Sequence, residues 1–338
     1  PDAPVIGFIA HMDTSPDMSG ENVRPRLIPN YDGGDVELGH GRTLSVSQFP
    51  HLAGLAGRTL IVAGGDTLLG ADDKAGVAEI MTMAEQLMSH PEIEHGTIKI
   101  GFTPDEEIGR GANYFDVEGF GANFAYTVDG GELGELDYEN FNAGAAKVVI
   151  HGLSIHTGSA KDAMVNASLL AMEFHQMLPV EQNPRYTTGY EGFFHLGPIE
   201  GEVELAEMDY IIRDHDAEKY AQKEQVMRDI AAYMNHKYGE GTVELTITES
   251  YRNMKEKIEP HMHLIENAKK AFRACGVEPK IVAVRGGTDG ARLSYMGLPC
   301  PNLSTGGHNF HGRFEYIPVE SMDKMVETII NIAKIYAD

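Results

Sequence analysis

His11 closes the apolar run VIGFIA, Asp72 lies in LLGADDKAG, Glu107 in GFTPDEE, Asp129 in FAYTVDGG and His311 in GGHNFHG. All five are acidic or imidazole groups at the ends of strand-like runs, where a metal ligand could be presented. Carboxylates brought within about 4 Å repel by roughly 4 kcal/mol per pair at an effective dielectric near 20. A fold that gathers several must neutralise them, and divalent cations are the simplest means. The pattern reads as a two-metal hydrolase.

Each residue also has a plainer reading. His11 alone would be a structural histidine, but Asp13, two residues on in HMD, could take the second imidazole N–H and fix the tautomer of a ligand; otherwise Asp13 is a turn cap. Asp72 and Asp73 stand before a helix, where acids commonly cap and complement the macrodipole. Two adjacent acids in a short GAD turn would equally suit one carboxylate turned inward to bridge two ions. Glu106 and Glu107 follow the strand IKIGFTPD and point in different directions, so one can bind metal while its neighbour serves as general base; a solvated acidic loop is the alternative. Asp129 precedes Gly130 and Gly131, a glycine turn in its bland form. In GGHNFHG, His308 competes with His311. Mixed histidine and carboxylate ligands suit zinc, and cobalt or manganese could occupy the same set.

These residues need a scaffold. Nearly continuous apolar runs at Val5 to Ala10, Thr59 to Ala63, Thr97 to Thr103 and Phe124 to Val128 predict buried strands. Val77, Ile80, Met81, Ala84 and Leu87 predict a helix with one face on the sheet. Together they indicate an α/β layer with a mostly parallel sheet flanked by helices, in which ligands bind beyond the strands' carboxyl ends. Gly33 to Asp35 and Gly39 to Gly41 mark a surface excursion.

The pattern changes near residue 143. Strand (Ala145 to His151), helix (163 to 178), strands (Phe193 to Leu196, Glu202 to Leu205 as a hairpin arm, Asp209 to Arg213), helix (Ala217 to Tyr238) and strand (Thr242 to Glu249) resemble an inserted ferredoxin-like α+β domain. Tyr220, Met227, Ile230, Met234 and Tyr238 stripe its second helix. The first pattern resumes with a helix near Pro260 to Cys275, a strand at Ile281 to Val284, a helix after Thr288, an apolar run through Leu303 and a helix from Val319. The expected division is 1–142 and 258–338 for a split catalytic domain and 143–257 for the insertion.

Bulk properties narrow the function. With 338 residues and a formal charge of -24, the chain lacks the positive charge that would draw nucleic acid or anionic membranes. No apolar run reaches membrane-spanning length. Cys275 and Cys300 form no CxxC, which favours a reducing, cytoplasmic setting. HExxH, GxSxG, GxxxxGK[ST] and GxGxxG are absent, and His261 and His263, two apart on a helix, share no face. A core strand begins almost at Pro1, so upstream residues are expected to be missing.

Taken together, HMDTSPDMSG, TLLGADDKAGVAEIM, FTPDEEIGRGA, YTVDGGELGELDYENFNA and RGGTDGARLSYMGLPCPNLSTGG resemble the peptidase T family of tripeptide aminopeptidases over essentially the whole chain. That family is a branch of the dinuclear zinc peptidases that include aminoacylase and glutamate carboxypeptidase. HMD, ADDK and DEE are shared by the superfamily; YENFNA, YEGFFHL and RGGTDGARLSYMG point to the branch. The family's leading helix and strand ahead of HMD are absent. The resemblance implies that Asp72 bridges two zinc ions, with His11 and Asp129 on one and Glu107 and His311 on the other. It makes Asp13 the orienter of His11 and Glu106 the general base, and it implies a cis peptide between Asp72 and Asp73. In the lid, it assigns His156 to the oxyanion, with Asn166 nearby, and Arg213 and Arg285 to the substrate's terminal carboxylate; an ion pair of Arg213 with Asp214 or Asp216 is the alternative. Some relatives borrow the lid histidine from a neighbouring subunit, which would mean a homodimer through the lid. The implied substrate is a small peptide; another amide hydrolase of the superfamily, or a non-catalytic binding protein, is the competing reading.

Overall fold

The computed structural model describes residues 3–337. From the start of the chain, β1 (Ile6–His11) leads through β2 (Arg26–Ile28), the hairpin β3 (Val36–Gly39) and β4 (Arg42–Leu44), and β5 (Leu60–Val62) to α1 (Ala71–Ser89). After these come β6 (Ile98–Thr103), the short α2 (Val117–Phe120), β7 (Phe124–Val128) and β8 (Glu135–Asp137). A second stretch holds β9 (Asn142–His151), α3 (Ala167–Gln176), β10 (Phe193–Gly201), β11 (Leu205–Asp214), α4 (Ala217–Tyr238) and β12 (Val243–Tyr251). The last contains α5 (Lys255–Ile258), α6 (His263–Ala274), β13 (Lys280–Ile281), α7 (Asp289–Tyr295), β14 (Asn302–Leu303), β15 (Tyr316–Pro318) and α8 (Val319–Ile335).

The chain separates into two compact units. One comprises 1–138, 254–282 and 288–338; the other comprises 139–253 and 283–287. The first is built on a six-stranded sheet of order β13-β8-β14-β7-β1-β6. Its pairs are parallel except β14 with β8. All six residues of β1 are buried, as a strand with parallel neighbours on both sides requires. Phe8, Tyr126, Phe272 and Ile329 join one core with Ile80, Met83 and Leu87 of α1.

Several expectations need correction. The run at Thr59 to Ala63 is a buried strand, but β5 pairs antiparallel with β2 and β15 in a separate three-stranded sheet. Burial of an apolar run does not reveal its partner. Met81 is 51% exposed, and Met83 takes the core position instead. The helix begins with non-helical backbone at Asp72 and Asp73, which sets the phase of the turns that follow. The strand expected at Ile281 to Val284 stops at Ile281. Val284 N–H instead donates to the Glu139 carbonyl and its own carbonyl accepts from His215 Nε2, both within the second unit.

The second unit runs β-α-β-β-α-β with an antiparallel sheet of order β10-β11-β9-β12, the ferredoxin-like arrangement. The separate arm expected at Glu202 to Leu205 does not form; Glu202 N–H donates to the Leu205 carbonyl in the turn between β10 and β11. The helix expected from 163 starts at Ala167, where the Asn166 side chain caps it. Tyr220, Met227, Ile230 and Met234 of α4 reach the core as their spacing predicts.

Gly76 sets how closely α1 approaches the end of β7. A Cβ there would lie 2.0 Å from the Val128 carbonyl oxygen and 2.5 Å from Asp73 Oδ1. Only glycine allows this contact, which carries the Asp72 turn up to Asp129. Gly76→Ala is therefore expected to force α1 outward and destabilise the protein by about 1–3 kcal/mol, as overpacking does. Thermal unfolding measures this, and an unchanged midpoint would show that the helix can retreat freely.

Candidate metal centre

Every expected ligand lies in the first unit, and the structure brings them together. His11 ends β1, Glu106 and Glu107 form a single turn after β6, Asp129 follows β7, and Asp72 lies at the start of α1. Three adjacent parallel strands thus deliver their exits to one place, as expected of an open α/β sheet.

Asp72 is the centre of the cluster. Its Oδ1 is 2.9 Å from His11 Nε2, and its Oδ2 is 3.0 Å from His311 Nε2. The two carboxylate oxygens therefore face two different imidazoles. On one side, Asp129 Oδ1 lies 3.5 Å from His11 Nε2; on the other, Glu107 Oε2 lies 3.1 Å from His311 Nε2. The Asp72–Asp73 peptide is cis, as the resemblance implied.

The second nitrogen of His11 fixes the role of the first. His11 Nδ1 faces the Asp13 carbonyl at 3.1 Å and Asp13 Oδ1 at 3.3 Å, both acceptors, so Nδ1 carries a proton. Nε2 is the nitrogen left to face Asp72 and Asp129. Asp13 also accepts the N–H groups of Glu106 at 3.0 Å and Glu107 at 3.1 Å, so one carboxylate holds both the imidazole and the acidic turn.

The cluster's electrostatics follow from crowding. Burial would lower the His11 pKa, but hydrogen bonds with Asp129 and Asp72 outweigh it and raise it far above the ordinary imidazole value. Hydrogen bonds with Asp72 and Glu107 raise His311 to about 10. Burial would raise Asp72, yet the two histidines hold it well below the usual carboxylate range. Burial pushes Asp129 up to about 6. Burial, reinforced by Asp129, pushes Glu106 up to about 9.

A divalent cation fits this donor set. Each Nε2 faces carboxylate oxygens across the space a cation would take, and metal binding to such ligands displaces protons. Two atoms sharing a tetrahedral zinc, each about 2.0–2.1 Å from it, stand roughly 3.3 Å apart, and the contacts above span 2.9 to 3.5 Å. Glu107 Oε1 is buried without a hydrogen-bond partner.

His308 lies elsewhere. Its ring stacks on His51 and Tyr316 at 4.9 Å each, with Nδ1 3.4 Å from Glu132, and burial lowers its pKa to about 4. Asp73, unassigned by its spacing, is fully buried; its Oδ2 accepts the His11 N–H at 3.0 Å, and it groups geometrically with His11 and Asp129. That N–H bond commits Asp73 to holding the strand and leaves Asp72 as the better bridge. Glu315, four residues after His311, carries no signal in its spacing; its carboxylate accepts three backbone N–H groups around Asp72.

The four remaining candidates lie in the second unit. His156 Nδ1 accepts the Gly158 N–H at 3.1 Å, which makes Nε2 the protonated, donating nitrogen. Asn166 Oδ1 accepts the Leu169 N–H as the cap of α3. Arg213 Nη1 donates to the Gly144 and Ile212 carbonyls, and its guanidinium lies over the Tyr251 ring. The ion pairs considered for it do not form: Asp214 pairs with Lys223 at 2.9 Å, and Asp216 caps α4. Arg285 donates to the Gly189 and Glu191 carbonyls and to the Thr187 hydroxyl, pinning that loop.

Comparison with known proteins shows the family and the fold. The model of peptidase family M20/M25/M40 matches residues 69–335. Peptidase T of Clostridium perfringens is 61% identical over 337 residues, covering 100% of this chain and 83% of its own length. The crystal structure of the aminopeptidase PepT from Bacillus cereus superposes with a TM-score of 0.79 at 25% identity, covering 99% of this chain and 82% of that one. A tripeptidase from Staphylococcus aureus shares the fold with a TM-score of 0.80 at 24% identity, over 99% and 82% of the two chains. With a family model over most of its length and relatives at this identity, the chain is a peptidase and belongs to peptidase family M20/M25/M40.

Proposed function

We propose that the protein is a dinuclear metal aminopeptidase that releases the N-terminal residue of tripeptides, with zinc as the metal. The observation that carries this reading is the divided Asp72 carboxylate, one oxygen toward His11 and the other toward His311. His11 and Asp129 make one half of the centre; Glu107 and His311 make the other. Bound there, a pair of divalent cations would supply an acidified water and a polarised scissile carbonyl.

The chain's own groups do the rest. Glu106, held by its N–H to Asp13, takes the proton of the attacking water and returns it to the departing amine. Asp13 keeps the His11 ring in the tautomer that presents Nε2. His156, with its proton on Nε2, is the donor to the oxyanion. Arg213 and Arg285 receive the terminal carboxylate, for which a guanidinium fork is suited; Arg285 also bonds the 187–191 loop.

Tripeptides, dipeptides, N-acetylated tripeptides and N-acyl amino acids assayed side by side test the reading. Turnover of free tripeptides, lost on acetylation and on stripping with a chelator, is the expected result. Preference for the N-acyl substrates would make the protein a deacylase. No helix among the described residues is long and apolar enough to cross a membrane.

A further inference from the structure

Helix α1 has no cap from its own turn: Gly70, at φ +80°, precedes it with no side chain to offer. N–H groups just before and within its first turn are instead answered from far along the chain. Glu315, 1% exposed, accepts Leu69 N–H and Gly70 N–H on Oε2 at 2.7 and 2.8 Å, and Asp72 N–H on Oε1 at 3.0 Å. One buried carboxylate thereby holds both flanks of the turn that presents Asp72.

The loop bearing Glu315 also bears His311. Residues 308 to 316 form a closed loop, clasped by reciprocal backbone bonds between His308 and Tyr316 at 2.9 and 3.1 Å. Asn309 Nδ2 donates to the Phe314 carbonyl, and Glu315 N–H to the Gly312 carbonyl, so the interior of the loop is braced as well. His311 reaches Asp72 Oδ2 from this loop, while Glu315 grips the Asp72 backbone. The loop therefore touches the bridge at both its side chain and its main chain.

We infer that Glu315 is a positioning residue for the metal centre: it locks the Asp72 turn to the His311 loop and so sets the separation of the bridging and terminal ligands before a cation arrives. Preorganised ligands cost less to order on binding, so the lock acts on metal affinity. A glutamine cannot replace it. Glu315 accepts on both oxygens, and in either orientation a carboxamide turns its NH2 against at least one of the three N–H groups, leaving a buried donor unpaired.

The inference rests on the dinuclear reading above. Wild type and Glu315→Gln are stripped with chelator and titrated with zinc against a chromogenic competitor, with circular dichroism and thermal midpoints of the stripped proteins read alongside. The expected result is a wild-type spectrum, zinc affinity lower by about tenfold or more, and tripeptide turnover restored by excess zinc. Glu315→Asp, which keeps the charge but withdraws it by one methylene, covers the case in which the glutamine variant does not fold, and it should weaken zinc in the same sense. Unchanged zinc affinity overturns the inference, as does a lost midpoint in the stripped protein that excess zinc does not compensate. Wild type holding fewer than two zinc ions overturns the dinuclear reading itself, and the inference falls with it; the two failures are thus told apart by the wild-type titration.

Discussion

Glu106→Gln is expected to keep wild-type metal content while turnover falls by at least about a hundredfold, the low end for loss of a general acid-base group. The glutamine preserves shape, and the backbone N–H that anchors residue 106 to Asp13 is untouched. What disappears is the capacity to accept and return a proton. Glu106 is surrounded by burial and by the Asp129 charge, which together push its carboxyl up to about 9. As the proposed base it would depend on positive charge in the centre, and the variant separates a proton-transfer role from a ligand role. Metal analysis and single-turnover kinetics on one preparation check this. Loss of metal in the variant would reassign Glu106 as a ligand, and near-normal turnover would remove it from the mechanism.

Asp72→Ala should have the largest effect of all. Every other carboxylate of the cluster faces one imidazole, whereas Asp72 faces two, through separate oxygens. Removing it breaks both halves of the centre at once and leaves His11 facing Asp129, and His311 facing Glu107, with no shared group. Both ions are expected to be lost together, with activity falling to background. His311→Ala provides the contrast, since it damages one half and should leave an ion on the His11 and Asp129 side. A stoichiometry of one ion in the Asp72 variant would show that the halves bind independently.

Much of this was legible in the sequence because strand exits are. His11, Glu107 and Asp129 each end an apolar run, and parallel neighbours in one sheet must send such ends to one edge. Asp72 was legible through the adjacent acids of GADD. Spacing alone left His308 beside His311 and the resemblance named His311; the aromatic stack that takes up His308, made with His51 and Tyr316, is a tertiary contact that spacing does not record. Asp73 and Glu315 were hidden for the same reason: each acts on backbone N–H groups, which no residue pattern records. Helical periodicity misplaces Met81 because it presumes a regular start, and the turn at Asp72 and Asp73 is not helical. The run at β5 reported burial correctly but not the antiparallel partners that bury it.

The central claim is that residues from His11 to His311 assemble around a pair of cations bridged by Asp72. Crystals soaked in zinc and measured at the zinc absorption edge test it directly. Two anomalous peaks are expected to flank the Asp72 carboxylate, one beside His11 and Asp129 and the other beside Glu107 and His311. A single peak, or peaks that leave Asp72 outside the coordination shell, would contradict it.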